Sequence, residues 1–150
     1  MRILIDADGC PVVDITIGLA KKNGIKCFIL CDTSHFFERD GAETITVSKG
    51  ADSVDFALVN LVHPGDIVIT QDYGLAAMCL ARRAVVVSQD GMVYSDSNIA
   101  ELLEQRAMAA KIRRSGGCDK KHRRLSGMAK RTEAQNRAFE IKLKELILEK

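Results

Sequence analysis

With 150 residues, 47% of them hydrophobic and 28% charged, the chain is long enough for one buried core and too apolar for a disordered protein. It has no apolar run of the roughly eighteen residues that mark a membrane-crossing helix and no signal-peptide pattern at its start, so a soluble, cytoplasmic protein is expected. The net charge of +2 hides an asymmetry: residues 1–112 hold ten Lys/Arg and fifteen Asp/Glu, residues 113–150 twelve and five.

Arg2-Ile3-Leu4-Ile5 reads as a short buried strand that ends in Asp6-Ala7-Asp8 and turns through Gly9-Cys10-Pro11 into a helix over about 12–23. Pro11 suits the first turn, where its missing N–H has no partner to lose. Asn23-Gly24 suits the helix end. Ile25 to Leu30 reads as a second strand, followed by a polar loop over 32–42 around His35. Glu43 to Val47, alternating with threonines, is a third strand. Asp52 then caps a helix over about 53–62, which His63-Pro64-Gly65 ends. Asp66 to Thr70 is a fourth strand, Tyr73 to Arg82 a helix, and Ala84 to Val87 a fifth strand. A helix over 98–113 repeats Ile99, Leu102, Leu103 and Arg106 at three- and four-residue spacing, so that face is expected to pack on the core. Residues 114–131 read as a loop or arm. The last helix starts near Thr132, where Thr132 and Gln135 match a capping box. Its apolar stripe through Phe139, Leu143, Leu146 and Ile147 suits docking on the domain or a homodimer.

Strands of four to six residues alternating with helices of about ten predict a three-layer α/β sandwich. Its sheet is five-stranded and mostly parallel, and C-terminal helices are added to it. The expected division is an α/β domain over 1–112, with a basic arm and C-terminal helix over 113–150 packed on it. In such sheets the functional crevice lies outside the carboxyl ends of the strands. Asp6, Asp8, Asp72 and the start of the Asp52 helix all belong to that edge.

Asp6 follows three buried apolar positions, where an unpaired charge is costly, so it calls for a metal, a helix N-terminus or a donor. The plainer reading has Asp8 capping the next helix and Asp6 accepting N–H bonds in the turn. Asp52 and Asp55 are neighbours on one helix face; Asp55 suits the cleft and Asp52 the cap. Asp6, Asp55 and Asp72 together suit Mg²⁺ or Mn²⁺, with Asp8 and Asp52 as further ligand candidates. Thr70 can orient a carboxylate or a bound water through its hydroxyl, and Gln71, Lys49 and Cys10 are in support. A helix N-terminus lowers the Cys10 thiol pKa, whereas Asp6 and Asp8 raise it. The five cysteines are odd in number and scattered, which excludes a secreted disulfide framework. Glycine fingerprints of dinucleotide and P-loop sites are absent from the sequence. Arg113, Arg114, Lys120, Lys121, Arg123, Arg124, Lys130 and Arg131 crowd into nineteen residues and suit a phosphate backbone such as RNA. The same stretch also reads as a solvated connector.

Asp6-Ala7-Asp8-Gly9-Cys10-Pro11 resembles the Asp-Ala-Asp-Ala-Cys-Pro opening of the uncharacterised bacterial YaiI/YqxD family, with Gly9 in place of Ala. Gly65 to Tyr73 with Leu75-Ala76 is similar to that family's second signature, and the Asn98-Ile99 and Arg137–Phe139 regions also fit. The resemblance covers nearly the whole chain. The family in turn resembles the PIN-like nuclease fold, which implies a divalent-metal-dependent, ribonuclease-like phosphodiester hydrolase. Asp6, Asp55 or Asp52, and Thr70 with Asp72 match its metal-holding positions, and Asp90 is the nearest match to a fourth carboxylate. The alternatives are a non-catalytic RNA-binding or structural protein of the same fold, and a haloacid-dehalogenase-type phosphatase. The latter's Asp-x-Asp-Gly start is similar to Asp6-Ala7-Asp8-Gly9. It implies Asp6 as phosphorylated nucleophile, Asp8 as acid/base, and supporting roles for Lys49 and the Asp66/Asp72 pair.

Overall fold

The computed structural model describes residues 1–33, 38–48, 50, 53–114 and 130–149, with Arg113 by its backbone alone. In chain order the elements are β1 (Ile3–Asp6), α1 (Val13–Lys22), β2 (Cys27–Asp32), β3 (Glu43–Val47), α2 (Ser53–Leu61), β4 (Ile67–Ile69), α3 (Tyr73–Ala81), β5 (Val85–Val87), α4 (Asp96–Arg114) and α5 (Glu133–Leu148). The five strands pair in parallel in the order β3-β2-β1-β4-β5. Alternate strand residues serve opposite faces. Ile3, Ile5, Cys27, Ile29, Ile67 and Ile69 pack with α1 and α5. Leu4, Leu30, Val68 and Val86 pack with α2, α3 and α4. The result is helices on both faces of a fully parallel sheet; the central strands read as continuous apolar runs because both their faces are covered, whereas edge strand β3 alternates with threonines and is partly exposed. Among the described residues no helix is long and apolar enough to cross a membrane.

Several boundaries differ from the sequence reading, each for a local reason. The Ile25 N–H closes the end of α1 on the Ala20 carbonyl at 2.9 Å, beside Gly24 at φ +64°. β2 therefore begins only at Cys27, and pairing with β3 carries it on to Asp32 opposite Val47. Pro11 lies ahead of α1 rather than in its first turn; Val12 is the N-cap, without a side-chain cap bond. Asp8 therefore does not cap that helix. α4 starts two residues early because Ser95 and Asn98 cap it reciprocally: the Ser95 N–H donates to Asn98 Oδ1, and the Asn98 N–H to Ser95 Oγ. α5 has the expected capping box of Thr132 and Gln135.

The α5 stripe is used within the chain. Phe139 and Leu143 are fully buried, Ile147 is nearly so, and Ile141 and Leu148 remain exposed. Two devices hold α5 in place. Gly91, at φ +85°, lets the backbone pass so close that a Cβ there meets the Ala138 carbonyl at 3.1 Å. Arg131 reaches back to Asp90 Oδ1 at 2.8 Å, Asn136 Oδ1 at 2.6 Å and the Gln89 carbonyl at 2.5 Å.

Candidate functional site

The sheet order reverses direction between β1 and β4. β1 leads by α1 to β2 on one side, while β3 crosses by α2 to β4 on the other. At such a switch point the connections diverge and leave a crevice beyond the strand ends. Asp6 ends β1, and Thr70 follows the last residue of β4. The two are joined across the switch point: Thr70 Oγ1 donates to Asp6 Oδ2 at 2.8 Å. The same hydroxyl accepts the Asp72 N–H at 3.0 Å, which directs its hydrogen toward Asp6. Asp72 is the N-cap of α3; its Oδ1 accepts the N–H groups of Gly74 at 2.7 Å and Leu75 at 3.1 Å. Its other oxygen faces Arg106 of α4, with Nη1 3.8 Å away.

These groups border a cavity of about 540 Å³ at the carboxyl edge of the sheet. Five carboxylates line it: Asp6, Asp8, Asp32, Asp55 and Asp72, with Gln71, Gly50, Tyr73 and Arg106 among the other walls. The period-2 alternation explains part of this grouping. Asp6 and Asp32 follow Leu4 and Leu30 on the face that carries α2 and α3. Asp55 belongs to the first turn of α2. Burial pushes the Asp6 carboxyl up. The Thr70 hydroxyl and the Asp8 N–H oppose that shift, and the charges of Asp8 and Asp72 add to it. Among the described residues no cation pairs with Asp6. Behind it lies a second cavity of about 10 Å³, the size of one water, bordered by Cys10, Thr70 and Gln89. Gln89 Oε1 is buried without a hydrogen-bond partner among the described residues.

Of the ligand candidates, Asp6, Asp8, Asp55 and Asp72 come to one cavity. Among the described residues, however, no three His, Cys, Asp or Glu side chains stand close enough to hold a metal ion between them. Asp52, Lys49 and His35 lie outside the described residues, as do Lys120, Lys121, Arg123 and Arg124 of the basic arm. The Arg113 side chain is also outside them; Arg114 and Lys130 are exposed. Arg131 differs from the exposed Arg114 and Lys130, because its guanidinium is engaged with Asp90. The same ion pair occupies Asp90, the nearest match to a fourth metal-holding carboxylate. Cys10 is partly buried, and burial foremost pushes its thiol up to about 11, against the Val12 N–H and Arg131, so it is a protonated packing residue at neutral pH. Asp66 and Asp72 do not form one acidic loop, since they stand at opposite ends of β4. Asp66 is instead held by Arg2 at 2.6 Å and the His63 N–H at 2.9 Å.

Two charged lining residues escape the sequence reading. Asp32 is hidden by ending the second strand at Leu30; its signal is that it closes an apolar strand as Asp6 does. Arg106 is assigned there to a core-packing face. The stripe of Ile99 and Leu102 does pack on α3, but one turn later it has passed from the core to the cleft.

The comparisons with known proteins agree with one another. Residues 4–149 match the model of the family described as "Uncharacterized BCR, YaiI/YqxD family". A "UPF0178 protein" of Exiguobacterium sibiricum is 50% identical over 150 residues, covering 100% of this chain and 99% of its own. Others from Ruminiclostridium cellulolyticum and Alkaliphilus oremlandii are 49% and 47% identical over 140 residues, 93% of this chain, and 88% and 86% of theirs. No solved structure matches the chain.

Proposed function

The chain belongs to the YaiI/YqxD family, and on that footing we propose that it is a divalent-metal-dependent phosphodiester hydrolase, ribonuclease-like, on a PIN-like fold. One observation carries the reading: the Asp6 carboxylate. It is charged at neutral cost only if something positive joins it, yet it stands at the switch point among Asp8, Asp55 and Asp72 without a paired cation among the described residues. The donor set fits Mg²⁺ or Mn²⁺. These are hard ions that take oxygen ligands, and Mg²⁺ keeps several waters while using only one or two protein carboxylates. A pair such as Asp6 and Asp72 therefore suffices without a cage of three. When bound, such an ion supplies charge stabilisation and an acidified water.

The chain's own residues supply orientation. Thr70 fixes the Asp6 carboxylate through its hydroxyl. Asp55 lines the same cavity and would orient the attacking water. The water oxygen bonds to phosphorus, the bond to the leaving nucleotide oxygen breaks, and that oxygen takes up a proton. RNA is the substrate this reading favours, with the exposed Arg114 and Lys130 available to its phosphates and the basic sequence between them adding positive charge.

The test is cleavage of an end-labelled single-stranded RNA by the purified chain with Mn²⁺ or Mg²⁺. Cleavage is expected to stop with chelator and to fall by about 10²-fold or more in Asp6→Asn, the scale of removing one electrostatic element of a site. RNA retention without cleavage, abolished by deleting 113–131 and unchanged in Asp6→Asn, would replace this reading with a binding protein. A beryllofluoride adduct on Asp6 would replace it with a phosphatase.

A further inference from the structure

We propose that Arg106 is the residue that grips a phosphate of the substrate, in the cavity assigned above to hydrolysis, so the inference rests on that reading. The charge distribution in the cavity requires a cation of this kind. Five carboxylates line it, and Arg106 is the one cation among its described lining residues. The charges of Asp8 and Asp72 already oppose that of Asp6, and a phosphodiester entering there meets the same repulsion. A metal ion relieves part of that repulsion. The non-bridging oxygens turned away from the ion still need donors.

Arg106 has donors to give. Its guanidinium is 58% exposed, and among the described residues its contact is the 3.8 Å approach to Asp72 Oδ2. That separation is beyond a hydrogen bond. An exposed pair at that distance contributes little to stability, so the contact does not explain why an arginine stands there. The planar guanidinium offers five N–H groups in a fork that matches two phosphate oxygens, which a lysine cannot do. Its position on the fold is fixed by the element that carries it. Ile99 and Leu102 anchor α4 on α3, and Arg106 is the next residue of that stripe. α3 begins at Asp72, so the stripe delivers Arg106 beside the metal-side carboxylate and opposite the end of β1. The contact with Asp72 also implies competition: a cation joining Asp72 frees the guanidinium for substrate.

Two titrations of the full chain test this. Calorimetry with Mn²⁺ reports on the carboxylates. Fluorescence anisotropy with a short phosphorothioate-linked single-stranded RNA, in saturating Mn²⁺, reports on phosphate binding. Arg106→Gln should bind Mn²⁺ as tightly as the native chain or more tightly, and the RNA about tenfold more weakly, the scale of one charge-assisted bidentate contact. Arg106→Lys should recover only part of that loss, because it restores charge without the fork. Arg82→Gln removes an exposed arginine from the far end of α3 and should match the native chain. RNA binding by Arg106→Gln equal to that of Arg82→Gln overturns the proposal, as does a native chain that binds no RNA. A native chain that takes up no Mn²⁺, yet loses RNA specifically in Arg106→Gln, overturns the metal reading and leaves Arg106 in its role.

Discussion

Asp6 and Asp66 flank buried apolar strand residues, at the carboxyl end of β1 and the amino end of β4, and their surroundings push them in opposite directions. Burial raises both. At Asp66 the Arg2 side chain, the His63 N–H and the Arg2 N–H outweigh it and hold the carboxyl below its ordinary 3.8. At Asp6 the Thr70 and Asp8 donors do not outweigh burial and two neighbouring negative charges. One carboxylate is a stitch between β1 and β4; the other is left with an unmet demand. Removing one partner of a buried pair leaves the other uncompensated, so Asp66→Ala should cost about 3 kcal/mol in urea unfolding at neutral pH. The sign with pH follows from the depressed value: the contribution is complete above the unfolded carboxylate range and is lost as pH falls through the folded pKa. The gap between the native chain and Asp66→Ala should therefore be constant above about pH 5 and close below it. A gap that widens on acidification would contradict the assignment.

At the scale of elements, Asp72 has two duties divided between its oxygens. Oδ1 caps α3, and Oδ2 faces the cavity. Asp72→Ala should destabilise the chain by about 1 kcal/mol, the usual value of an N-cap. Asp72→Asn should keep most of that stability, because its amide oxygen still accepts both N–H groups, and yet lose Mn²⁺ binding. Comparing thermal unfolding with metal titration for the two variants separates the duties. Element identity was readable from the chain because the apolar runs are short and the punctuation is strong: Asn23-Gly24, His63-Pro64-Gly65 and Thr132 with Gln135 each stop or start a helix. The end of β2 was not readable because it depends on pairing with β3, more than ten residues on, and the start of α4 rests on a local cap, the Asn98 side chain turned back to Ser95, which the spacing of apolar residues does not mark.

At the scale of the whole molecule, the parallel order β3-β2-β1-β4-β5 gathers carboxylates from four separate segments at one edge. At Asp6, burial and the charges of Asp8 and Asp72 oppose ionisation with no paired cation among the described residues, a cost that recurs where function needs strain. Asp6→Asn should therefore stabilise the metal-free chain at neutral pH, by about 1 kcal/mol. A bound ion relieves the same conflict, so Mn²⁺ at a hundred times its Kd should add about 2.7 kcal/mol to the native chain by mass action. Asp6→Asn should gain little from it. Thermal unfolding with and without Mn²⁺ reads both effects, and an equal metal response in the two chains would remove Asp6 from the ion.

By itself the sequence determined the fold class, because alternating apolar strands and capped helices admit few arrangements other than a doubly covered parallel sheet. It also determined that Asp6, Asp8 and Asp72 belong at the carboxyl edge, since each lies at or within three residues of a strand's carboxyl end. Only the tertiary structure decided what joins them there. Strand order puts Thr70 against Asp6 across 64 positions of chain, β2 pairing adds Asp32, and the packing of α4 on α3 brings Arg106 to Asp72. It also pairs Arg131 with Asp90 just ahead of α5. These are long-range contacts between residues whose local sequence carries no mark of the partner, and burial and charge select them only once the sheet has closed.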